Sequence, residues 1–392
     1  MVRKMKLAFS LFRYFPYGGL ERDFLRIAKK CQNRGHEIHT FTFIWEGELP
    51  QEFIHTHIPV KGMSNHQRIN DFSKRLSKLL LAAPSAEQFD LVIGFNKMKD
   101  LDLYYAADPC FEAKAREQHG KLYRLSQRYK IYRAMEESIF APDKNVELLF
   151  ISDIQMQLFK DFYGTPSERF HLLPPGVDRS RIRPNNAYEI RQKTRNSLSL
   201  QEDDKLLLMI GTSYRRKGVD RSIKALASLP EPLRSKTFLL VAGEEKLKKY
   251  KSMAKHYGIE KQVHLPGPRD DVPELLLASD LFLHPARHEN TGTVLLEAIA
   301  AGTPQLVSGV CGYAFHIEKA DAGRVLSEPF QQSEFNHTLL EMLCSENWQN
   351  WQDNALHYMR TSDIFSMPDK AADIIEETGK HRPIANVYKN HQ

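Results

Sequence analysis

The chain has 392 residues, of which 42% are hydrophobic and 27% charged: too long for one ordinary core, and too apolar for a disordered or fibrous protein. No apolar run approaches the ~20 residues needed to span a bilayer. The four cysteines, Cys31, Cys110, Cys311 and Cys344, lie far apart and read as reduced core or helix thiols, not as zinc ligands. A net charge of +6 suits an anionic substrate or an anionic membrane as well as nucleic acid, so charge alone selects no partner.

In chain order, Arg3, Lys4 and Lys6 precede only a short apolar stretch, Leu7 to Phe12, closed by Arg13. That is too short for a secretory h-region and reads as a first buried strand, which would leave the protein in the cytoplasm. Short apolar runs then alternate with helical patterns, the sign of βαβ units and parallel sheets. Strands are expected at Lys6–Phe12, Glu37–Phe43, Leu91–Gly94 and Leu148–Ser152 in one series. A second series runs through Leu206–Gly211, Phe238–Gly243, Val263–Pro266, Leu281–His284 and Gln305–Ser308. Two series imply two sheets, with an N-terminal domain over 1–173 and a second over 201–365. Pro174, Pro175 and Gly176 open a polar stretch, 174–200, that suits a hinge. A last helix is expected over 366–378, returning to the first domain, followed by a tail over 379–392.

Three stretches have the composition of ligand sites. The first follows the first strand: Gly18 and Gly19 permit close backbone approach, and the helix behind them offers free amides to a phosphate. It lacks the GxGxxG pattern of dinucleotide binding; the plain alternative is a tight turn. The second runs from Gly211 to Asp220, where Arg216 and Lys217 follow a strand and precede a helix, a placement suited to gripping a diphosphate. A solvated basic turn would have the same composition. The third runs from His284 to Glu297, with Glu289 in a loop and Glu297 eight residues later inside an apolar helix. Two carboxylates can accept hydrogen bonds from vicinal hydroxyls, while amides over 290–294 remain for an anion. Glu297 as an ordinary helix residue is the alternative, but its apolar neighbours imply burial, and a buried carboxylate needs partners. A fourth stretch, Lys114 to Arg133, is basic and carries Leu122, Tyr123, Leu125, Tyr129 and Tyr132. Its cations, Lys121, Arg124, Arg128 and Lys130 among them, suit lipid headgroups, with the tyrosines at the interface. A solvated helix packed by its aromatic side is the alternative; no nucleic-acid motif accompanies the stretch.

Together the paired carboxylates, the Arg216-Lys217 pair and the Gly18-Gly19 loop resemble family 4 of the retaining glycosyltransferases. The strings YFPYGGLERDFLRIA, GFNKMKDLDLYYAAD, RFHLLPPGVD, RKGVDRSIKALASLP, ENTGTVLLEA and VCGYAFHI resemble, more closely, the lipopolysaccharide core glucosyltransferases of Gram-negative bacteria. The resemblance implies an α/β, GT-B fold, two Rossmann-like domains facing across a cleft. It implies transfer of glucose, or a similar hexose, from UDP-glucose to an inner-core heptose, by an enzyme peripheral to the inner face of the inner membrane. Its partners would be UDP-sugar, the lipid A-core acceptor and anionic lipid, with no metal, no other cofactor and no nucleic acid.

The resemblance also implies roles. Gly18 and Gly19 would approach the donor through the backbone, with Asp23 on the helix beside them and Asp108 close to the transferred sugar. Arg216 and Lys217, after Gly211, would bind the diphosphate, Glu289 the sugar hydroxyls and Glu297 the ribose. Amides of Thr291, Gly292, Thr293 and Val294 would face sugar or phosphate, and Arg269 and Val272 would border the uracil. Many family members carry Gly-Phe-Gly where this chain has Asn290-Thr291-Gly292, which bears on the choice of sugar. Asp100-Leu101-Asp102 has the spelling of a metal-binding DxD, but the resemblance places no metal there. The rival readings are a glycosyltransferase of this family with another acceptor, a UDP-sugar epimerase of the same shape, and a non-enzymatic membrane scaffold.

Overall fold

A computed structural model describes residues 3–16, 18–82, 84 and 88–381; the tail expected after residue 379 lies outside the described residues from 382 onward. The chain forms two compact units, one of residues 1–176 with 366–392, the other of Val177–Phe365.

The first unit carries a seven-stranded parallel sheet in the order β5-β3-β1-β6-β7-β8-β9. Its strands are β1 (Lys6–Ser10), β3 (Glu37–Thr42), β5 (Ile54–His57), β6 (Leu91–Gly94), β7 (Leu103–Ala106), β8 (Glu147–Phe150) and β9 (Phe170–Leu172). A two-stranded pairing of β2 (Arg13–Tyr14) with β4 (Ile44–Trp45) lies beside it in sequence. The strand order reverses between β1 and β6, so chain segments cross over both faces of the sheet. Both faces are therefore covered, which is why β6 and β7 are buried along their whole length. The helix Met367–Lys380 belongs to this unit and packs on the helix Gly19–Asn33. Ala371, Ala372 and Ile375 enter the same core as Phe24 and Ile27. Arg34 pairs with Asp373 at 2.8 Å and with Glu376 at 3.2 Å.

The second unit has a six-stranded parallel sheet, β12-β11-β10-β13-β14-β15. Its strands are β10 (Lys205–Ile210), β11 (Thr237–Ala242), β12 (Val263–Gly267), β13 (Leu281–His284), β14 (Gln305–Ser308) and β15 (Gly323–Leu326). Here the order reverses between β10 and β13. The stretch read as a hinge, 174–200, differs from that expectation: from Val177 on it is part of the second unit and holds a helix, Ala187–Ser197. Its arginines account for the difference. Arg191 and Arg195 pair with Asp280 at 2.6 and 3.1 Å and donate to the carbonyls of residues 277–279, so a polar sequence is docked, not free.

Candidate functional site

The second unit builds its site where the strand order reverses, the usual ligand position in open α/β sheets. After β10 the chain passes through Gly211 (φ 134°) and Ser213 (φ 59°) into the single helical turn Tyr214–Lys217. Gly218 (φ 78°) then opens the helix Val219–Ser228. A Cβ on Gly218 would lie 2.0 Å from the Pro285 carbonyl oxygen, so only glycine lets this turn abut the loop after β13. Fully buried Tyr214 anchors the turn, its hydroxyl 2.9 Å from the Gly243 carbonyl. From the β13 side, the Arg287 amide donates to the Arg216 carbonyl at 2.8 Å, and its guanidinium forks onto Asp220 at 2.8 and 2.7 Å. The two loops are thereby locked together.

That lock brings Arg216, Lys217 and Glu289 into one cluster. The Lys217 ammonium contacts the Glu289 carboxylate, Arg216 Nη1 lies 3.3 Å from the same oxygen, and His284 Nε2 lies 3.4 Å from it. Glu289 is only 9% exposed. Burial on its own would raise the Glu289 pKa; the His284 hydrogen bond and the Lys217 charge outweigh it and hold the carboxyl far below the usual range. Burial, aided by the Lys217 charge, pushes His284 down to about 4. The imidazole is neutral, and its Nε2 must donate, because an ionised carboxylate only accepts. The cluster thus holds two cations against one permanent carboxylate, a net positive charge, and the Arg216 side chain is 41% exposed.

The helix Thr293–Ala301 starts behind Glu289 after Gly292 (φ 86°), with no acidic residue in its first turn and no side-chain cap. Its first amides lack intrahelical acceptors, as at any helix start. Thr291 is buried and its carbonyl accepts from the Tyr313 amide at 2.8 Å; Glu297 is buried inside the helix. Arg269 forks onto Asp271, with Nε at 2.7 Å, and Val272 begins the helix Val272–Ala278.

The remaining sequence-derived residues lie in the first unit. Gly18 caps the helix Gly19–Asn33, and a Cβ there would fall 1.7 Å from Glu21 Oε2, so the Glu21 carboxyl lies across it. A Cβ on Gly19 would meet nothing within 4 Å. Asp23 accepts from the Tyr105 hydroxyl at 2.8 Å, which ties it to the sheet. Asp108, after β7, is exposed. Asp102 of the DxD-like spelling is buried and accepts from the Val92 amide at 2.7 Å, a strand-bracing role. Two residues escaped the sequence reading. Glu21 is buried, and that burial, opposed by its own amide and reinforced by Asp108 and Asp23, raises its pKa to about 7. His284, the polar last residue of an apolar strand, is the other.

The basic stretch also differs from expectation in one respect. It folds as the end of the helix Phe111–Gln118, a 3-10 turn Lys121–Leu125 and the helix Gln127–Phe140. Tyr129 is in the core, donating to Glu112 at 2.7 Å, so it is not an interfacial residue. The apolar side chains that project outward are Leu122 and Leu125, 82% and 70% exposed, and Lys121, Arg124, Arg128 and Lys130 of the same stretch are exposed too.

Two doubly wound parallel sheets, one carrying a cation–carboxylate cluster at its switch point, define a GT-B glycosyltransferase. A family model described as glycosyl transferases group 1 matches residues 190–368, and one described as glycosyltransferase family 4 matches 17–181. The lipopolysaccharide glucosyltransferase WaaG of Escherichia coli K12 is 44% identical over 372 residues, 95% of this chain and 98% of that one. A crystal structure of WaaG, described as a glycosyltransferase involved in lipopolysaccharide biosynthesis, superposes with a TM-score of 0.88 over 94% of this chain and 99% of that one. Anabaena HepE in complex with UDP and glucose, 18% identical, shares the fold with a TM-score of 0.72, covering 95% of this chain and 99% of that one. The chain belongs to the family 4 glycosyltransferases, and its likeness to the lipopolysaccharide glucosyltransferase runs through both units.

Proposed function

We propose that the protein is a retaining glucosyltransferase that moves glucose from UDP-glucose to an inner-core heptose of lipopolysaccharide. The observation that carries this reading is the convergence of Arg216, Lys217 and Glu289 at the switch point of the second sheet, in a chain 44% identical to a lipopolysaccharide glucosyltransferase. Arg216 and Lys217 take the diphosphate, Glu289 the glucose hydroxyls and Glu297 the ribose hydroxyls. Arg269 and Val272 border the base, with Arg269 oriented by Asp271. Amides from Thr291 to Val294 and the backbone at Gly211 complete the donor site. In the first unit Gly19 leaves room for a ligand at the helix start and Gly18 offers its backbone beside the Glu21 carboxyl, Asp108 acts on the sugar side, and Asp23 is tied to the sheet through Tyr105.

In the transfer, the bond from the anomeric carbon to the β-phosphate breaks with its electron pair leaving on UDP. The heptose hydroxyl forms the new bond on the same face, and its proton passes to the departing phosphate oxygen. Arg216 and Lys217 stabilise the charge that develops on UDP, the role a divalent ion plays elsewhere. Transfer therefore proceeds in EDTA, and loss of activity in EDTA with recovery in manganese would refute that part.

The acceptor is a lipid, and the exposed Leu122 and Leu125, in one stretch with the exposed cations Lys121, Arg124, Arg128 and Lys130, suit an anionic membrane surface. Among the described residues no helix is long and apolar enough to cross a membrane. The reading is a peripheral enzyme on the inner face of the inner membrane. Incubation with UDP-glucose, with and without truncated core lipopolysaccharide, tests the activity. UDP released only with acceptor supports the transferase; conversion of the donor without acceptor points to an epimerase, and no turnover to a scaffold.

A further inference from the structure

The helix Gln127–Phe140 carries a carboxylate, Glu136, with no exposed surface at all. A bare buried charge is costly unless every lone pair is used, and here each is. Glu136 accepts from Lys97 Nζ at 2.5 Å, the Phe111 amide at 2.8 Å, the Glu112 amide at 2.9 Å and the Tyr163 hydroxyl at 2.7 Å. Capping the helix Phe111–Gln118 would need only the two amides. Lys97 goes further, donating also to the Pro109 carbonyl at 2.8 Å, and Gln155 accepts from the Cys110 amide at 3.0 Å. Each of residues 109–112 is thus held by a side chain of this network, and the residue bonded to Pro109 on its other side is exposed Asp108.

We propose that Glu136, with Lys97 and Tyr163, is a positioning residue for Asp108, an inference that rests on the glucosyltransferase reading. The strand β7 anchors the chain before Asp108 and the Lys97–Glu136 pair anchors it after, so the carboxylate is presented from a backbone tied on both sides. Displacements of about an ångström at a reacting group cost orders of magnitude in rate, and a loop anchored by one buried charge is sensitive to its loss. Glu136→Gln keeps the shape but removes the charge and one acceptor. Tyr163→Phe removes a single hydroxyl and keeps the ring stacked 5.9 Å from Phe140, so it serves if the first variant fails to fold.

The test measures kcat, the KM for UDP-glucose, UDP affinity and Tm for the wild type, Glu136→Gln, Tyr163→Phe, Asp108→Asn and the Asp108→Asn/Glu136→Gln and Asp108→Asn/Tyr163→Phe pairs. Positioning predicts that Glu136→Gln lowers kcat about tenfold and Tyr163→Phe about threefold. UDP affinity and donor KM stay within about twofold, and neither variant lowers kcat further once Asp108 is already Asn. A variant that lowers Tm but leaves kcat unchanged overturns the proposal. So does an equal loss with and without Asp108, and so does an Asp108→Asn enzyme as active as wild type. A wild type that transfers no glucose sinks the functional reading itself, and this inference with it; transfer by the wild type with Glu136→Gln and Tyr163→Phe unaffected sinks the inference alone.

Discussion

Replacing Lys217 with methionine deletes one ammonium and keeps most of its stem, and the consequences separate into folding and catalysis. For folding, Glu289 loses its contact with Lys217 but keeps Arg216 at 3.3 Å and the His284 imidazole at 3.4 Å. Stripping all partners from a buried ion pair costs ~3–5 kcal/mol; with two partners left, ~1–3 kcal/mol is the better expectation. The folded-state pKa of Glu289 lies below its ordinary value of 4.5, so the stability it contributes is present above that pH and is lost as pH falls through the folded value. The deficit of Lys217→Met should therefore be clear in melts at pH 7, hold down to about the ordinary value of 4.5, and shrink only as pH falls further below it toward the depressed folded value. For catalysis, one preorganised group facing the charge on departing UDP is removed, worth ~2.7–4 kcal/mol, or a fall of ~10²–10³ in kcat. The assay is acceptor-dependent UDP release, read beside circular dichroism at the same temperature. A folded Lys217→Met enzyme within about threefold of wild-type kcat would refute the role given to this cation.

Glu21 reverses the usual carboxylate behaviour. Its folded pKa is raised from 4.5 to about 7, so the folded state holds its proton more tightly and stability declines as pH rises through that window. Glu21→Gln should flatten that decline and raise stability at pH 8 by ~1–3 kcal/mol; an unchanged pH profile of Tm contradicts it. Gly218→Ala forces a left-handed conformation on alanine and drives a methyl into the Pro285 carbonyl, so urea unfolding should show a loss of ~3 kcal/mol or more, with activity lost as the turn holding Arg216 and Lys217 shifts. A loss below about 1 kcal/mol would mean the two loops are not locked as described. Changing Lys121, Arg124, Arg128 and Lys130 together to glutamine should lower sedimentation with anionic vesicles and leave neutral ones unaffected; unchanged sedimentation defeats the membrane role.

The interior strands were legible because parallel strands covered on both faces are apolar without interruption, as in Leu206-Leu207-Leu208-Met209. The edge strands of the first sheet were not: β5 reads Ile-His-Thr-His and β9 only Phe-His-Leu, with no apolar run to mark them. The buried Leu103–Ala106 strand was hidden by its place inside a motif read for its terminal aspartate. At the site, Arg216, Lys217 and Glu289 stood out because they lie between an apolar strand and a helix, where open α/β sheets bind ligands, and because they match the family's motifs. What spacing does not reveal is that they touch, since the contact depends on the Gly218 turn, the Arg287–Asp220 fork and the adjacency of β10 and β13. Glu21 and Glu136 were illegible for a different reason. Each lies in a helix with polar neighbours and looks solvated; only the packing of distant segments shows it to be buried.

In the proposed reaction a pyrophosphate docks on the Arg216–Lys217 cations and releases Glu289 to the sugar. A crystal structure of the protein with UDP-glucose would show whether it does. The prediction is diphosphate oxygens within hydrogen-bond distance of both cations, with Glu289 accepting from glucose hydroxyls and Glu297 from the ribose. A nucleotide bound with its phosphates away from this cluster, and the Lys217–Glu289 contact undisturbed, would contradict it.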